Sequence, residues 1–575
     1  MKKIFLAFAA VLTFTAVSAQ IPEHSLHRNP TVVAVGKEPP RGDVVSHDSK
    51  RDAVLDTHGA SRYLQPLTEW TRTETPDAVN FTARFKVPFE WLERRRLLNV
   101  TRASGSFAVA INDSIVAYSQ TGSTPSEFDI TGVSAEGVNN LTISVYKDPA
   151  ARALEGERRA TPALEGDVYI LSQPRIRVRD VAIATRMEGT SGLLELGVIL
   201  KSHQLNPHDY IVHWELLNPR GEIMADGRKT ARLDMRREDT VRFFANIPRV
   251  VPWSHEDPRL YTLFIKTQNE GRFREYLAFR IGFRGVDFNG DDLREGGDDV
   301  RIVSAVAPTR EFLARCDSLG IYVVCGADID TRQAGESRKV GGNPSNDPAW
   351  NAAYLDRTMA MYHTSKNHPS VAMFRLAERS ANGVNLYDSY LALKDLEHLR
   401  PVVYTDGGGE WNTDDVGEVR GVRGESLPSA LADGSTATPK SGFSPTPDRL
   451  TLEALSLPGT LADSVVNARF RVTNSRRITP LAGEAIYRVM TGRRMVSSGM
   501  TPIEVPPGKS TEFDVPVAGV KAGKKYTVTV EIAVERADGN YLPASDPDLR
   551  VYRRLDLPIR EDARTILVSG EFKGF

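Results

Sequence analysis

The chain is poor in cysteine: Cys316 and Cys325 are all that its 575 residues contain. Two cysteines make no disulfide framework, and with no histidine near them they make no zinc site. Cys316 falls in a helix-like stretch and Cys325 at the end of the next strand-like one. A bridge between them is open to this spacing, but two buried thiols are the expectation. The chain also lacks an excess of charge, with 73 Lys and Arg against 74 Asp and Glu and a net charge of -1. Nucleic acids and anionic membranes are recognised through a large basic excess, so neither is expected as a partner. The local run Arg94–Arg96 reads as solvated surface. No Lys-Ser/Thr follows the glycine run Gly407–Gly409, so there is no phosphate loop, and there is no Gly-x-Ser-x-Gly elbow for an esterase. His203, His208 and His213 lack paired ligand spacing on a helix and read as structural or surface residues.

Long apolar runs are absent except at the start. "MKKIFLAFAAVLTFTAVSAQ" places two lysines before an apolar core from Ile4 to Val17, with a small-residue cleavage site at Val17-Ser18-Ala19. That core is shorter than the ~20 residues of a membrane span. The expectation is a signal peptide over 1–19 and an exported protein, periplasmic, outer-surface or secreted, with no transmembrane segment.

What is present is mostly β pattern. An extended Pro-rich arm covers 20–60. Short alternating runs such as "AVNFTARFKV" and "NNLTISVYK" give a jelly-roll β-sandwich over 61–176. "LLELGVIL" and "DYIVHWELL" belong to an Ig-like β-sandwich over 177–284. Over 285–416 strands alternate with helices, as in "TREFLARCDSLG" before "IYVVCGADID". This is the pattern of a parallel sheet, but with about four strands it makes only a truncated (β/α) TIM-type barrel. A Gly-, Ser-, Thr- and Pro-rich linker spans 417–447, a second Ig-like β-sandwich 448–560 and a tail 561–575.

That domain order resembles the large β-galactosidases of glycoside hydrolase family 2. So does local wording: "YSQTGSTPSEFDIT" (Tyr118–Thr131), "VPWSHEDPRLYTL" (Val251–Leu263), "CDSLGIYVV" (Cys316–Val324), "SKNHPSVAMF" (Ser365–Phe374) and "NGVNLYDSYLALKDLEHLRPVVY" (Asn382–Tyr404). The resemblance implies a retaining glycosidase, which needs two carboxyl groups about 5–5.5 Å apart. In the family the acid is the Glu of an Asn-Glu-Ser-Gly motif ending the fourth barrel strand. Counting without a gap from "NHPSV" (Asn367–Val371), Glu378 falls on the family's Asn, Arg379 on its catalytic Glu and Ser380 on its Ser. An arginine stays protonated and gives no proton to a leaving oxygen.

The family also holds magnesium through that Glu and a Glu-Thr-His triplet. The triplet is here Asp330-Thr331-Arg332, so two ligand positions are guanidinium groups and no metal cofactor is expected. Val306 stands where the family has the His of a Ser-His-Tyr-Pro motif. The nucleophile's strand would come after the barrel pattern has ended, near Asp414. Glu378 remains a candidate acid, expected to pair with Arg379. Asp328 and Asp330 are expected to solvate a strand end. Asp406, Glu410 and Trp411 are candidate sugar contacts within an acidic loop that also holds Asp414 and Asp415.

The implied function is a β-galactosidase-like protein that has lost hydrolysis and serves as a carbohydrate-binding or scaffold subunit. The alternatives are a working glycosidase with relocated or partner-supplied residues, and a structural subunit of an envelope complex. Four parallel strands cannot close, so a protein partner or self-association is expected over the open barrel.

Overall fold

The computed structural model describes residues 26–55, 61–156, 161–254, 257–284, 302–404, 450–456, 466–474, 480–491, 494–518, 525–534 and 550–558. The expected signal peptide lies outside these residues. Among the described residues the chain is multidomain: a jelly-roll sandwich, an Ig-like sandwich, a partial TIM-type barrel and a second Ig-like sandwich. The jelly roll packs a six-stranded sheet on a four-stranded one. "AVNFTARFKV" forms the strand Ala78–Val87, in which Ala83, Phe85 and Val87 are buried while Arg84 and Lys86 face water. Asn112 and Asp113, both at positive φ, turn the hairpin between Phe107–Ile111 and Ser114–Ser119. The two Ig-like units each pack a three-stranded sheet on a four-stranded one. In the first, Trp214, Phe243 and Tyr210 fill the space between the sheets.

The barrel portion runs β1 (Ile302–Val306), α1 (Arg310–Leu319), β2 (Tyr322–Gly326), α2 (Asn351–Ser365), β3 (Val371–Arg375), α3 (Val384–Lys394) and β4 (Val402–Val403). The four strands are parallel and lie in sequence order. Thr309 caps α1 through its side chain and Gly320 ends it in the left-handed conformation. One sheet face, with Val323, Cys325, Val371 and Phe374, packs on the helices through Leu313, Met361 and Leu386. On the other, Tyr322, Val324, Met373 and Val403 pack with Trp253, which leaves the Ig-like sandwich to donate from Nε1 to the Asp317 carbonyl at 2.8 Å. These residues of that face are thus buried within the chain. Cys316 and Cys325 are both free and buried. Burial pushes their thiols up to about 12 and about 11, so neither is a ready nucleophile.

The arm is more than an extended segment. It holds a short helix, Lys50–Val54, capped by Ser49, and it contacts three domains. Lys37 reaches Asp356 of the barrel at 3.2 Å. Arg41 grips Glu127 of the jelly roll, with Nε 3.1 Å from both carboxylate oxygens. Glu38 takes Lys201 of the Ig-like sandwich at 2.6 Å, and Asp43 takes Arg310 of the barrel at 2.7 Å. The run Arg94–Arg96 is likewise not solvated surface. Arg96 is buried, donating to the Trp91 carbonyl at 3.1 Å, and Arg94 donates to Ser172 at 2.8 Å and lies over the Tyr63 ring. Carbonyl oxygens and an aromatic face replace water around these guanidinium groups.

Arg41 and Glu127 are almost completely out of water, with side-chain exposures of 8% and 6%. Removing Arg41 leaves the buried Glu127 carboxylate with only the longer contact to Arg177, at 3.7 Å. Arg41→Ala is therefore expected to cost about 3–5 kcal/mol in urea unfolding, and Arg41→Lys to recover only part of it.

Candidate functional site

The stretch matched to the family's acid-bearing strand is β3 and the turn after it. The strand ends at Arg375, so the alternation of faces does not govern Glu378 and Arg379. Past the strand the backbone turns toward β2: Glu378 N–H donates to the Ile329 carbonyl at 2.7 Å, and Thr331 N–H to the Arg379 carbonyl at 2.9 Å. Arg379 and Asp330 form a parallel bridge, so the acid position and the first residue of the metal triplet do meet. The expected pair between Glu378 and Arg379 does not form. Glu378 is bound by Arg375, three residues back, while Arg379 points into solvent. The turn brings positions 375 and 378 together and sends 379 the other way.

Asp328 and Asp330 do not solvate a strand end either; both are buried. Asp328 accepts from Nη1 of Arg357 on α2, through its carbonyl at 2.9 Å and its carboxylate at 3.4 Å. Asp330 is gripped by Arg332, whose Nε lies 3.0 and 2.9 Å from the two carboxylate oxygens. A residue that sequence reasoning did not assign completes the set. Glu155, in the jelly-roll loop "ALEG", reaches Nη2 of Arg357 at 3.5 Å. The loop is pinned to the barrel mouth by two backbone hydrogen bonds, Asp330 N–H to Leu154 O at 2.7 Å and Gly156 N–H to Asp330 O at 2.9 Å. Leu154 is fully buried in the barrel's helix-side core. Gly156, at φ +61°, lies so close that a Cβ there would be 2.7 Å from Oδ2 of Asp330.

Polar contacts tie the rest of the mouth together. Thr331 donates from Oγ1 to Asn343 Oδ1 at 2.9 Å and from its backbone N–H to Ser380 Oγ at 3.2 Å. The Tyr404 hydroxyl donates to the Ser380 carbonyl. Val306 ends β1 with an apolar side chain where a histidine would supply a donor. Asp406, Glu410, Trp411, Asp414 and Asp415 lie outside the described residues. His203, His208 and His213 are on the first Ig-like sandwich, away from the mouth; burial pushes His203 down to about 3. In each pair at the mouth a carboxylate accepts from a guanidinium. A general acid must instead donate, from a group close to a leaving oxygen.

Gly156 and Gly189 share a φ of +61°, but nothing lies within 4 Å of a Cβ built at Gly189. Gly189→Ala should thus cost only the left-handed penalty of about 1–2 kcal/mol. Gly156→Ala should cost at least about 1 kcal/mol more in urea unfolding, because it must also move the Asp330 carboxylate. Equal costs would contradict this placement of the loop.

Comparison with known proteins finds similarity over the sandwich and barrel stretches. The family model described as "Glycosyl hydrolases family 2, TIM barrel domain" matches residues 307–420, and that of "Glycosyl hydrolases family 2" matches 176–284. A β-galactosidase of Priestia megaterium is 24% identical over 418 residues, 64% of this chain and 39% of its own length. One of Clostridium acetobutylicum is 26% identical over 365 residues, 56% of this chain and 40% of its own. The chain thus spans about two fifths of the length of the curated relatives it matches. A solved β-glucuronidase of Bacteroides uniformis is similar at 11% identity, with a TM-score of 0.48 over 84% of this chain and 74% of that one. Two family models on neighbouring stretches lead to one conclusion: residues 176–284 and 307–420 are a sandwich and a TIM-barrel domain of the glycoside hydrolase family 2 kind.

Proposed function

We propose that this β-galactosidase-like chain is exported and binds carbohydrate, or scaffolds an assembly, without cleaving glycosides. The observation that carries the proposal is Arg379. By the gapless match from Asn367–Val371 it takes the place of the family's acid, and it has no proton to give. Glu378 is held by Arg375, and a carboxylate committed to a guanidinium is a poor acid. The residues at the family's metal positions do not fit a divalent cation. Asp330 is gripped by Arg332 and covered by Gly156, and Arg379 offers only donors. A partner or a second copy beside β4 is part of the same proposal. Leu391 of α3, with Leu396 and Leu399 in the turn leading to β4, stands exposed there.

Purified protein is expected to hydrolyse a panel of chromogenic β-galactosides no faster than buffer, and Glu378→Gln to change nothing. Turnover that Glu378→Gln abolishes would sink the proposal. Calorimetry with lactose and galactose reads binding separately from cleavage.

A further inference from the structure

Away from the barrel mouth, three parts of the chain meet at one carboxylate. Asp180 lies in the Ig-like strand Ile176–Glu188 and is fully buried. Its Oδ1 accepts the Gly42 N–H of the arm at 3.0 Å and the Val181 N–H at 2.8 Å. Its Oδ2 takes the ammonium of Lys366, just past α2 of the barrel. The next residue, Asn367, clamps the same strand: it donates to the Val181 carbonyl at 2.8 Å and accepts from the Ile183 N–H at 3.0 Å. The arm sits tightly here, since a side chain at Gly42 would come within 3.3 Å of both Asn367 and Asp180.

Lys366 makes one more contact, with Nδ1 of His363 at 3.1 Å. An ammonium has only donors, so this contact requires His363 to be neutral, with Nδ1 as the acceptor. The other charges around His363 are committed. Arg179, next to Asp180, pairs with Glu238 at 3.3 Å and donates to the Pro39 carbonyl of the arm. Arg400 is bound by Glu397, with Nε at 2.8 Å, and donates to the Lys366 carbonyl at 3.0 Å. The arm presents Gly42 and Pro39 at this point, and α2 adds the edge of the Tyr362 ring. A proton on His363 would therefore have Asp180 as its nearest anion, 3.6 Å away and already bound to Lys366.

We propose that this joint is an acid-release switch. Protonation of His363 from solvent at Nδ1 ends the Lys366 hydrogen bond and sets an imidazolium against the Lys366 ammonium, 3.1 Å away. The arm and the barrel then loosen from the Ig-like sandwich. Burial holds His363 below its ordinary range in the folded chain. A histidine depressed in this way contributes in full above its unfolded value of about 6.5 and loses that contribution as pH falls below it. Asp180, held far below the usual carboxylate range despite its burial, stays charged throughout.

Hydrogen exchange of the full chain, followed from about pH 7.5 to about pH 5 and corrected for intrinsic rates, tests the switch. Peptides covering Gly42 and Val181–Ile183 should gain exchange by up to about tenfold per pH unit below roughly pH 6.5, while the Ig-like core around Trp214 stays protected. His363→Asn keeps an acceptor near the Nδ1 position and cannot titrate, so its profile should be flat; His363→Gln serves if the first variant does not fold. An unchanged wild-type profile, or the same rise in the neutral variant, overturns the proposal.

Discussion

Cationic side chains held against carboxylates away from water are the interaction on which this architecture depends. The arm contributes Lys37, Glu38, Arg41 and Asp43, and each finds its opposite charge on a folded domain. Such pairs gain little net stability over an apolar contact, because both charges lose their water. What they impose is dependence. Glu127 belongs to the jelly roll, Lys201 to the Ig-like sandwich and Asp356 and Arg310 to the barrel, and each would lose a charged partner if the arm left. The jelly roll, the first Ig-like sandwich and the barrel are therefore held to one relative placement by a segment that has almost no core of its own.

The barrel mouth uses the same device for a different end. A glycosidase mouth needs carboxyl groups that stay available to a substrate. Here Glu155, Asp328, Asp330 and Glu378 are each engaged by Arg357, Arg332 or Arg375. The loop around Gly156 lies directly on Asp330. The β/α frame is formed through β3, and Arg379, which the gapless count sets at the family's acid, follows in the turn after it. A fold can persist in this way because its strands and helices are set by apolar packing, which the chemistry of one turn residue does not touch.

What was legible in the sequence followed from period and local signals. Alternation in "AVNFTARFKV" and the helix pattern of "TREFLARCDSLG" before "IYVVCGADID" each produced the element expected of it. The family frame was legible too, because strand and helix signals and short motifs occur in order. The choice of charge partners was not. Glu155 and Arg357 are 202 residues apart, and Lys37 and Asp356 are 319 apart, so nothing local announces them. Glu378 misled for the opposite reason. Its true partner is only three residues away, but they meet through a turn that begins where the strand stops, at Arg375. The basic run at Arg94–Arg96 reads as surface because the Tyr63 ring and the strand residue Ser172 that receive Arg94 are far away in sequence.

The central claim is that no carboxylate at this mouth attacks a sugar. Retaining cleavage passes through a covalent glycosyl-enzyme intermediate, which an activated 2-fluoro-galactoside traps. Intact-mass spectrometry of the protein after incubation with such a reagent reads this directly. The account predicts an unchanged mass. A gain of one fluorogalactosyl group, mapped to Glu378 or to any other carboxylate of the barrel, would contradict it.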